Sequence, residues 1–379
     1  MKGSTAETPT RVLLLGPRPI EGDVIGGTKV LFERNLQSLS RSPHFDLDVV
    51  NTSRARAGRG RLGRRCLDLV TLLRVLGALV LRARRAQVVC FNVSSQGVIL
   101  SGALVWMACR LLRRPLVVRL FGGDLDVRLE RAPRALRWLA ERSFLRSELL
   151  VLETEGLCAA FADRSRVRRL ANTRATDVRP RAATSSNEAV RFVFVSQLRA
   201  EKGLEVALSA SDALPEGAQL DFYGPPVTGR EPELFANHPR ARWLGELEPA
   251  EVARTLVDYD GFVFPTLYPL EGMPGAVLEA QQCGLPVVAS RWRAAHEMIE
   301  PERDGLLVPP GDAEALAHAL RRLCEDAPLR ARLAAGSLER GAAWLPEPWQ
   351  DLFEHWLAAL ARGENELERE PRASWKEAA

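Results

Sequence analysis

The sequence predicts an α/β protein built as two successive doubly wound units joined by one linker. Three observations predict it. Runs of β-branched residues alternate with helical patterns along both halves of the chain, which marks parallel sheets. The alternation stops over Arg174–Asn187, which has no apolar period and many turn formers. A fresh strand, Val190–Val195, then opens a second series. At 379 residues the chain is long enough for two sizeable cores.

In the first half, Arg11–Gly16 reads as a strand ending in glycine, followed by Gly26-Gly27-Thr28 and a helix over Lys29–Ser40. Strands follow at Phe45–Asn51, Gln87–Asn92, Leu116–Leu120, Leu149–Glu153 and Val167–Leu170. Helices are expected at Cys66–Arg85, Gly97–Leu112, Pro133–Arg146 and Glu155–Phe161. The second half continues with strands at Gln219–Tyr223, Trp243–Leu244, Gly261–Pro265, Pro286–Ala289 and Gly305–Val308. Its helices are Gly203–Leu214, Pro249–Asp258, Gly275–Cys283, Asp312–Glu325, with Asp312 as N-cap, and Leu329–Arg340. A last helix, Pro346–Ala361, places Trp349, Phe353 and Trp356 on one face. The resulting domains are 11–173 and 190–345, with a flexible start at 1–10 and a linker at 174–189. A helix at 346–362 packs back toward the first domain, and a disordered charged tail fills 363–379. Ligands of such sheets bind at the C-terminal ends of the strands, and with two units facing each other the expected site is the cleft between them.

Composition sets limits. Hydrophobic content of 46% and charged content of 26% are those of a soluble globular protein. The net charge of +4 is unevenly spread: residues 54–85 hold ten arginines and one acid, Asp68. Three readings are open for this basic stretch: a solvated face of a core helix, a contact with an anionic membrane through the 54–65 loop, or a nucleic-acid patch. Arg54–Arg65 lacks interleaved aromatics, so no nucleic acid is expected. The six cysteines form no C-x-x-C pair and no His lies at ligand spacing, which argues against structural zinc and a disulfide framework. Buried, reduced thiols in the cytoplasm fit them better, with the inner face of the plasma membrane as the open contact. The polar start shows no signal peptide. Val98–Leu112 is apolar but, at fifteen residues, too short for a hydrocarbon core of about 30 Å. A buried helix of an α/β layer explains it.

The chemistry concentrates in Tyr268–Ser290, which reads strand end, glycine-containing loop, helix, turn, strand. Glu271 and Glu279 stand on either side of the loop. A helix N-terminus at Gly275 presents unpaired N–H groups and the positive end of a dipole, which suits a diphosphate. Gly272 and Gly275 would let the backbone approach closely, with Met273 and Pro274 between them. Glu279, one turn inside the helix, would reach a ribose hydroxyl. Taken alone, either glutamate is equally a solvated surface charge.

The run Glu271-Gly-x-Pro-x-x-x-Leu-Glu279-Ala, continued by Cys283-Gly284-x-Pro286-Val-Val-Ala-Ser, resembles the E-x7-E signature of family-4 retaining glycosyltransferases of GT-B fold, the glycosyltransferase group 1 type. Val193–Gly203 is similar to that family's segment ending in Lys-Gly, Asp260–Thr266 to its next strand, and His296–Ile299 and Asp304–Asp312 to its closing segment. Gly26-Gly27 resembles its N-terminal diglycine, and Asn172 the Asn that closes its first domain. The resemblance implies two Rossmann-like domains and retaining transfer from a nucleotide-diphosphate sugar to a hydroxyl acceptor. It also implies a lipid-linked or cell-surface polysaccharide precursor as acceptor, with no metal or other cofactor. Lys202 and Glu271 become the catalytic pair, the cation facing the leaving diphosphate and the carboxylate facing the donor sugar. Gly26, Gly27, Arg199, Gly272, Met273, Pro274, Gly275 and Glu279 become donor contacts, with Glu297 near them. On the acceptor side stand Arg119 and Asp124.

The chain departs from the family at two places. Gln197 stands where the family has Arg, and Arg199 is the cation nearest in sequence that would replace it. Arg119–Asp124 lacks the family's His. The Asp124-x-Asp126 pair lies in the first domain, away from the donor half, and is not read as a metal site. Two alternatives remain: a nucleotide-sugar epimerase or hydrolase on the same fold, and a binding protein that kept the donor pocket and lost catalysis.

Overall fold

A computed structural model describes residues 8–20, 27–53, 61–163, 166–178, 189–229, 231–364 and 367, with the side chains of 61–68 and 231–232 outside that description. The chain divides into two units. One runs to Ala171 and takes up the chain again from Glu347, and the other spans Asn172–Pro346.

The first unit alternates β1 (Thr10–Gly16), α1 (Gly27–Arg41), β2 (Phe45–Asn51), α2 (Arg61–Arg82), β3 (Val88–Ser94), α3 (Ser95–Leu111) and β4 (Leu116–Phe121). It continues with α4 (Leu125–Arg131), α5 (Arg134–Glu141), β5 (Leu149–Leu152), α6 (Glu155–Phe161) and β6 (Val167–Arg169). The strands pair in parallel in the order β2-β1-β3-β4-β5-β6. A parallel sheet covered on both faces reads as continuous apolar runs, and β3 and β5 do so: Val88–Val93 and Leu149–Leu152 are buried throughout. Ser94 caps α3 by accepting from Gly97 N, and Thr154 caps α6 by accepting from Leu157 N.

The second unit runs β7 (Arg191–Val195), α7 (Leu204–Ser211), β8 (Gln219–Tyr223), α8 (Glu231–Leu234), β9 (Ala241–Trp243), α9 (Val252–Leu256) and β10 (Gly261–Phe264). Then come α10 (Gly275–Gln282), β11 (Val287–Ser290), α11 (Ala295–Met298), β12 (Gly305–Val308), α12 (Ala313–Glu325) and α13 (Ala327–Ala342). Its parallel sheet has the order β12-β11-β10-β7-β8-β9. Asp312 accepts from Ala315 N at 2.8 Å and so caps α12 as its sequence position predicts. The last helix, α14 (Pro346–Ala361), buries Trp349, Phe353 and Trp356 in the first unit. There the Arg119 guanidinium lies 5.1 Å from the Phe353 ring and Arg169 lies 5.4 Å from Trp349.

Five expectations need correction. The helix expected over Pro133–Arg146 is α5 plus a 3₁₀ turn, Phe144–Arg146, and the unforeseen α4 precedes it. Pro133 separates α4 from α5, because its ring forces Ala132 into an extended conformation, with ψ 149°. The helix expected from Cys66 begins at Arg61. The linker expected from Arg174 does not begin there: Asn172 and Arg174 are buried in the second unit, where Asn172 Nδ2 donates to Met273 O at 2.7 Å. The tail expected to lack order from Gly363 is held at Leu367, whose side chain is buried and whose carbonyl accepts from Arg168 at 2.9 Å. Finally, α3 is not buried all round. Val98, Val105 and Cys109 face the core, while Leu100, Met107 and Leu111 are exposed. The basic loop expected to contact a membrane, 54–65, lies outside the described residues for its backbone up to residue 60 and for its side chains beyond. Among the described residues no helix is long and apolar enough to cross a membrane.

Candidate functional site

The second unit assembles its polar residues at the C-terminal ends of β7 and β10, neighbours in the sheet. Lys202 ends the short 3₁₀ turn Ala200–Lys202 after β7, and Glu271 lies in the loop after β10. The Lys202 ammonium pairs with Glu271 Oε1. Thr266 Oγ1 donates to the same carboxylate oxygen at 3.1 Å. The two loops are fastened to each other by backbone: Leu267 N donates to Glu201 O at 2.9 Å. Gly203 makes the approach possible. Its φ is +78°, and a Cβ there would stand 1.9 Å from Pro265 O. Lys202 also lies 5.9 Å from the Phe264 ring centroid. The ion pair is half-buried rather than solvated, so water screens it less than a surface pair.

The loop between the two glutamates is held from behind. Trp292 Nε1 donates to Gly272 O at 3.3 Å, and Asn172 Nδ2 donates to Met273 O. Met273 is itself buried, and Pro274 occupies the N-cap of α10. With these carbonyls engaged, the loop delivers the chain to a helix whose first N–H groups have no partner within the helix.

Glu279 is buried, which the sequence did not indicate. Its Oε1 lies 3.2 Å from Arg174 Nε, with both side chains largely out of water. Arg174 Nη1 also donates to Asn172 Oδ1 at 2.8 Å and to Thr173 O at 2.9 Å. Gln282, one turn after Glu279 on α10, donates to Arg174 O at 2.7 Å. This adds a reason for Gly275. A Cβ there would stand 1.7 Å from Arg174 Nη2, so only glycine admits the guanidinium without a shift. Below Glu279, burial pushes the Cys283 thiol up to about 12, with the Glu279 charge adding to the effect. That thiol is inert, as are Cys90 and Cys109, which burial also raises to about 12.

Other expected residues stand apart from this group. Arg199 is exposed, pairs with Glu201 at 3.4 Å, and lines a hollow of about 540 Å³ with Glu205 and Glu233. Neither Lys202 nor Glu271 lines that hollow, and Arg199 Nη1 lies 3.5 Å from Gln197 Oε1. Glu297 is half-buried on the four-residue α11. Gly27 begins α1, and a Cβ there would meet nothing within 4 Å, so its described surroundings do not demand glycine. Gly26 lies outside the described residues.

In the first unit, Arg119 and Asp124 sit at the C-terminal end of β4. Asp124 is buried at the start of α4 and pairs with Arg128, one turn on. Arg119 packs between the Phe121 and Phe353 rings. Burial lowers its guanidinium to about 10, and the neighbouring Cys90 and Glu153 counter that only in part. Among the described residues its Nη1 has no hydrogen-bond partner. Asn92, its register partner on β3, is fully buried and its Oδ1 is likewise unpartnered. Among the described residues no three His, Cys, Asp or Glu side chains gather as a metal-ligand set.

Residues 189–326, within the second unit, match the family described as Glycosyl transferases group 1. The chain is 33% identical over 157 residues to the sulfoquinovosyl transferase SQD2 of Arabidopsis thaliana, which covers 40% of this chain and 30% of that protein. It is 34% identical over 158 residues to the amylovoran biosynthesis glycosyltransferase AmsK of Erwinia amylovora, 37% of each chain. The chain therefore spans about a third of the length of these curated relatives. Solved structures are similar over nearly the whole chain. Anabaena HepE in complex with UDP and glucose gives a TM-score of 0.68 at 18% identity, covering 92% of this chain and all of that one. Sucrose-phosphate synthase from Thermosynechococcus elongatus gives 0.74 at 16% identity, covering 94% of this chain and all of that one. With two parallel six-stranded sheets flanked by helices, the fold class is GT-B.

Proposed function

We propose that this chain is a metal-independent retaining glycosyltransferase. It moves a hexose or related sugar from a nucleotide-diphosphate sugar to a hydroxyl of a glycan or lipid-linked acceptor used in cell-envelope polysaccharide synthesis. The observation that carries the reading is the Lys202–Glu271 pair, fixed by Thr266 at the mouth of a loop that opens a helix N-terminus. The HepE structure with UDP and glucose and the AmsK relative supply the substrate class.

In the reaction the anomeric carbon loses its bond to the diphosphate and gains one to the acceptor oxygen on the same face, while the acceptor hydroxyl gives its proton to the departing phosphate. Negative charge grows on the departing phosphate. Lys202, anchored beside the helix, opposes that charge, and the α10 N-terminus adds its dipole. Glu271 orients the sugar and sets the position of Lys202. Glu279, one turn into α10, holds the nucleoside end of the donor. Arg119, a cation with an unpartnered nitrogen, meets an anionic group of the acceptor, such as the phosphate of a lipid carrier.

A thermal-shift screen of nucleotide sugars tests donor binding, because a ligand at a hundred times its Kd stabilises the folded form by about 2.7 kcal/mol. With the donor found, Lys202→Ala lowers the rate of transfer by roughly 10²–10³-fold, the usual cost of one transition-state charge partner. Transfer unchanged by Glu271→Ala overturns the role given to Glu271, and donor binding without transfer to any acceptor leaves a nucleotide-sugar-binding protein. Nucleotide release that needs no acceptor marks an epimerase or hydrolase instead.

A further inference from the structure

We propose that Glu271 drives release of the nucleoside diphosphate product by competing with it for Lys202. The inference rests on the transferase reading above and gives the carboxylate a second task, performed after the sugar has moved.

The Lys202 ammonium already has an anion beside it, the Glu271 carboxylate. Among the described residues no other acid pairs with Lys202 and no other cation pairs with Glu271. A diphosphate that takes the cation must therefore take it from that carboxylate. The Lys202 side chain is 28% exposed and that of Glu271 12%, so the ammonium is the more open of the two to an incoming anion.

The carboxylate is held in place when the pair opens. Thr266, itself buried, donates to Glu271 Oε1 at 3.1 Å and accepts from Tyr268 N at 3.2 Å. Ser290 Oγ in turn donates to Thr266 O. Lys202 is held from the other side by the turn that ends in the left-handed Gly203, and Leu267 N fastens the two loops by donating to Glu201 O. When the diphosphate leaves, the pair closes again without rearranging either loop.

Charge makes the effect selective. A nucleotide-diphosphate sugar carries about two negative charges, one on each phosphate. The free diphosphate carries about three at neutral pH, once the proton taken from the acceptor has passed to water, because a terminal phosphate ionises a second time near about pH 6. A fixed carboxylate close to the phosphates therefore opposes the product more strongly than the donor. The pair is half-buried, so water and salt screen this repulsion only in part. The N-terminus of α10 makes such an opposing charge necessary. No side chain caps it and no acid lies in its first turn, so its positive end attracts donor and product alike. With Lys202 and the helix alone, the more highly charged product would bind more tightly than the donor.

The full-length protein is titrated calorimetrically with UDP, GDP, ADP, CDP and dTDP, and with the glucose ester of each. For the base that the wild type binds, Glu271→Gln is expected to tighten the free diphosphate by at least about tenfold, a modest share of one like charge at short range. The sugar ester should gain less. The readout is the ratio of the two affinities, because a merely structural role for Glu271 would shift both together. Glu271→Asp keeps the charge and should keep the ratio near its wild-type value. A ratio unchanged by Glu271→Gln, or changed equally by Glu271→Asp, overturns the proposal and leaves the transferase reading standing. A wild type that binds none of these compounds overturns that reading, and this inference with it.

Discussion

Arg174 is the residue on which the shape of the α10 entrance depends. It fills the space over Gly275, holds Glu279 and ties Asn172 behind the loop. Truncating it leaves the Glu279 carboxylate buried without its cation. Arg174→Ala should therefore cost about 3–5 kcal/mol, measured by urea unfolding, whereas the conservative Glu279→Gln should cost much less. Equal costs for the two would show that the pair contributes little. The sequence concealed this residue. Arg174 stands among turn formers with no apolar period, so local pattern assigns it to a linker. Its partner is 105 positions away on a helix, and nothing in the spacing marks the two as a pair. Lys202 and Glu271 were legible because each stands in a short motif that resembles the family's.

At the scale of elements, the site depends on two loops from neighbouring strands that touch through backbone. Gly203 is the contact point, with a left-handed φ and no room for a methyl group against Pro265 O. Gly203→Ala should destabilise the chain by about 1–3 kcal/mol or more, through strain and through the separation of the loops. It should lower transfer along with the melting temperature, because Lys202 is the preceding residue. An unchanged melting temperature would mean that the loops pass each other more loosely than described. Strands were the most legible elements: Phe45–Asn51, Gln219–Tyr223 and Gly305–Val308 have the bounds their sequences predict. Gly305–Val308 is an apolar run, while Phe45–Asn51 alternates apolar and acidic residues as a half-covered edge strand does. Helices around prolines were less legible, since Pro133 both ends one pattern and starts another, and α4 was hidden in the interval. For α3, hydropathy showed an apolar helix but not that only half of it would be enclosed.

At the scale of the whole molecule, α14 follows the second unit in sequence and packs in the first. Trp356 is fully buried there. Trp356→Ala should cost about 3–5 kcal/mol and should raise hydrogen exchange in β1–β6 while leaving β7–β12 protected. Faster exchange confined to β7–β12 would contradict that placement. The sequence by itself determined the succession of strands and helices, the break between the two series and the motif around Glu271, because each follows from local periodicity and turn chemistry. Only the tertiary structure decided that Lys202 and Glu271, 69 residues apart, form one ion pair. It likewise decided that Glu279 is buried against Arg174, that Arg199 is exposed beside Glu201, and that one side of α3 is exposed. These outcomes follow from which loops the sheet order makes neighbours and which faces the helices enclose, and long-range packing of that kind leaves no period in the chain.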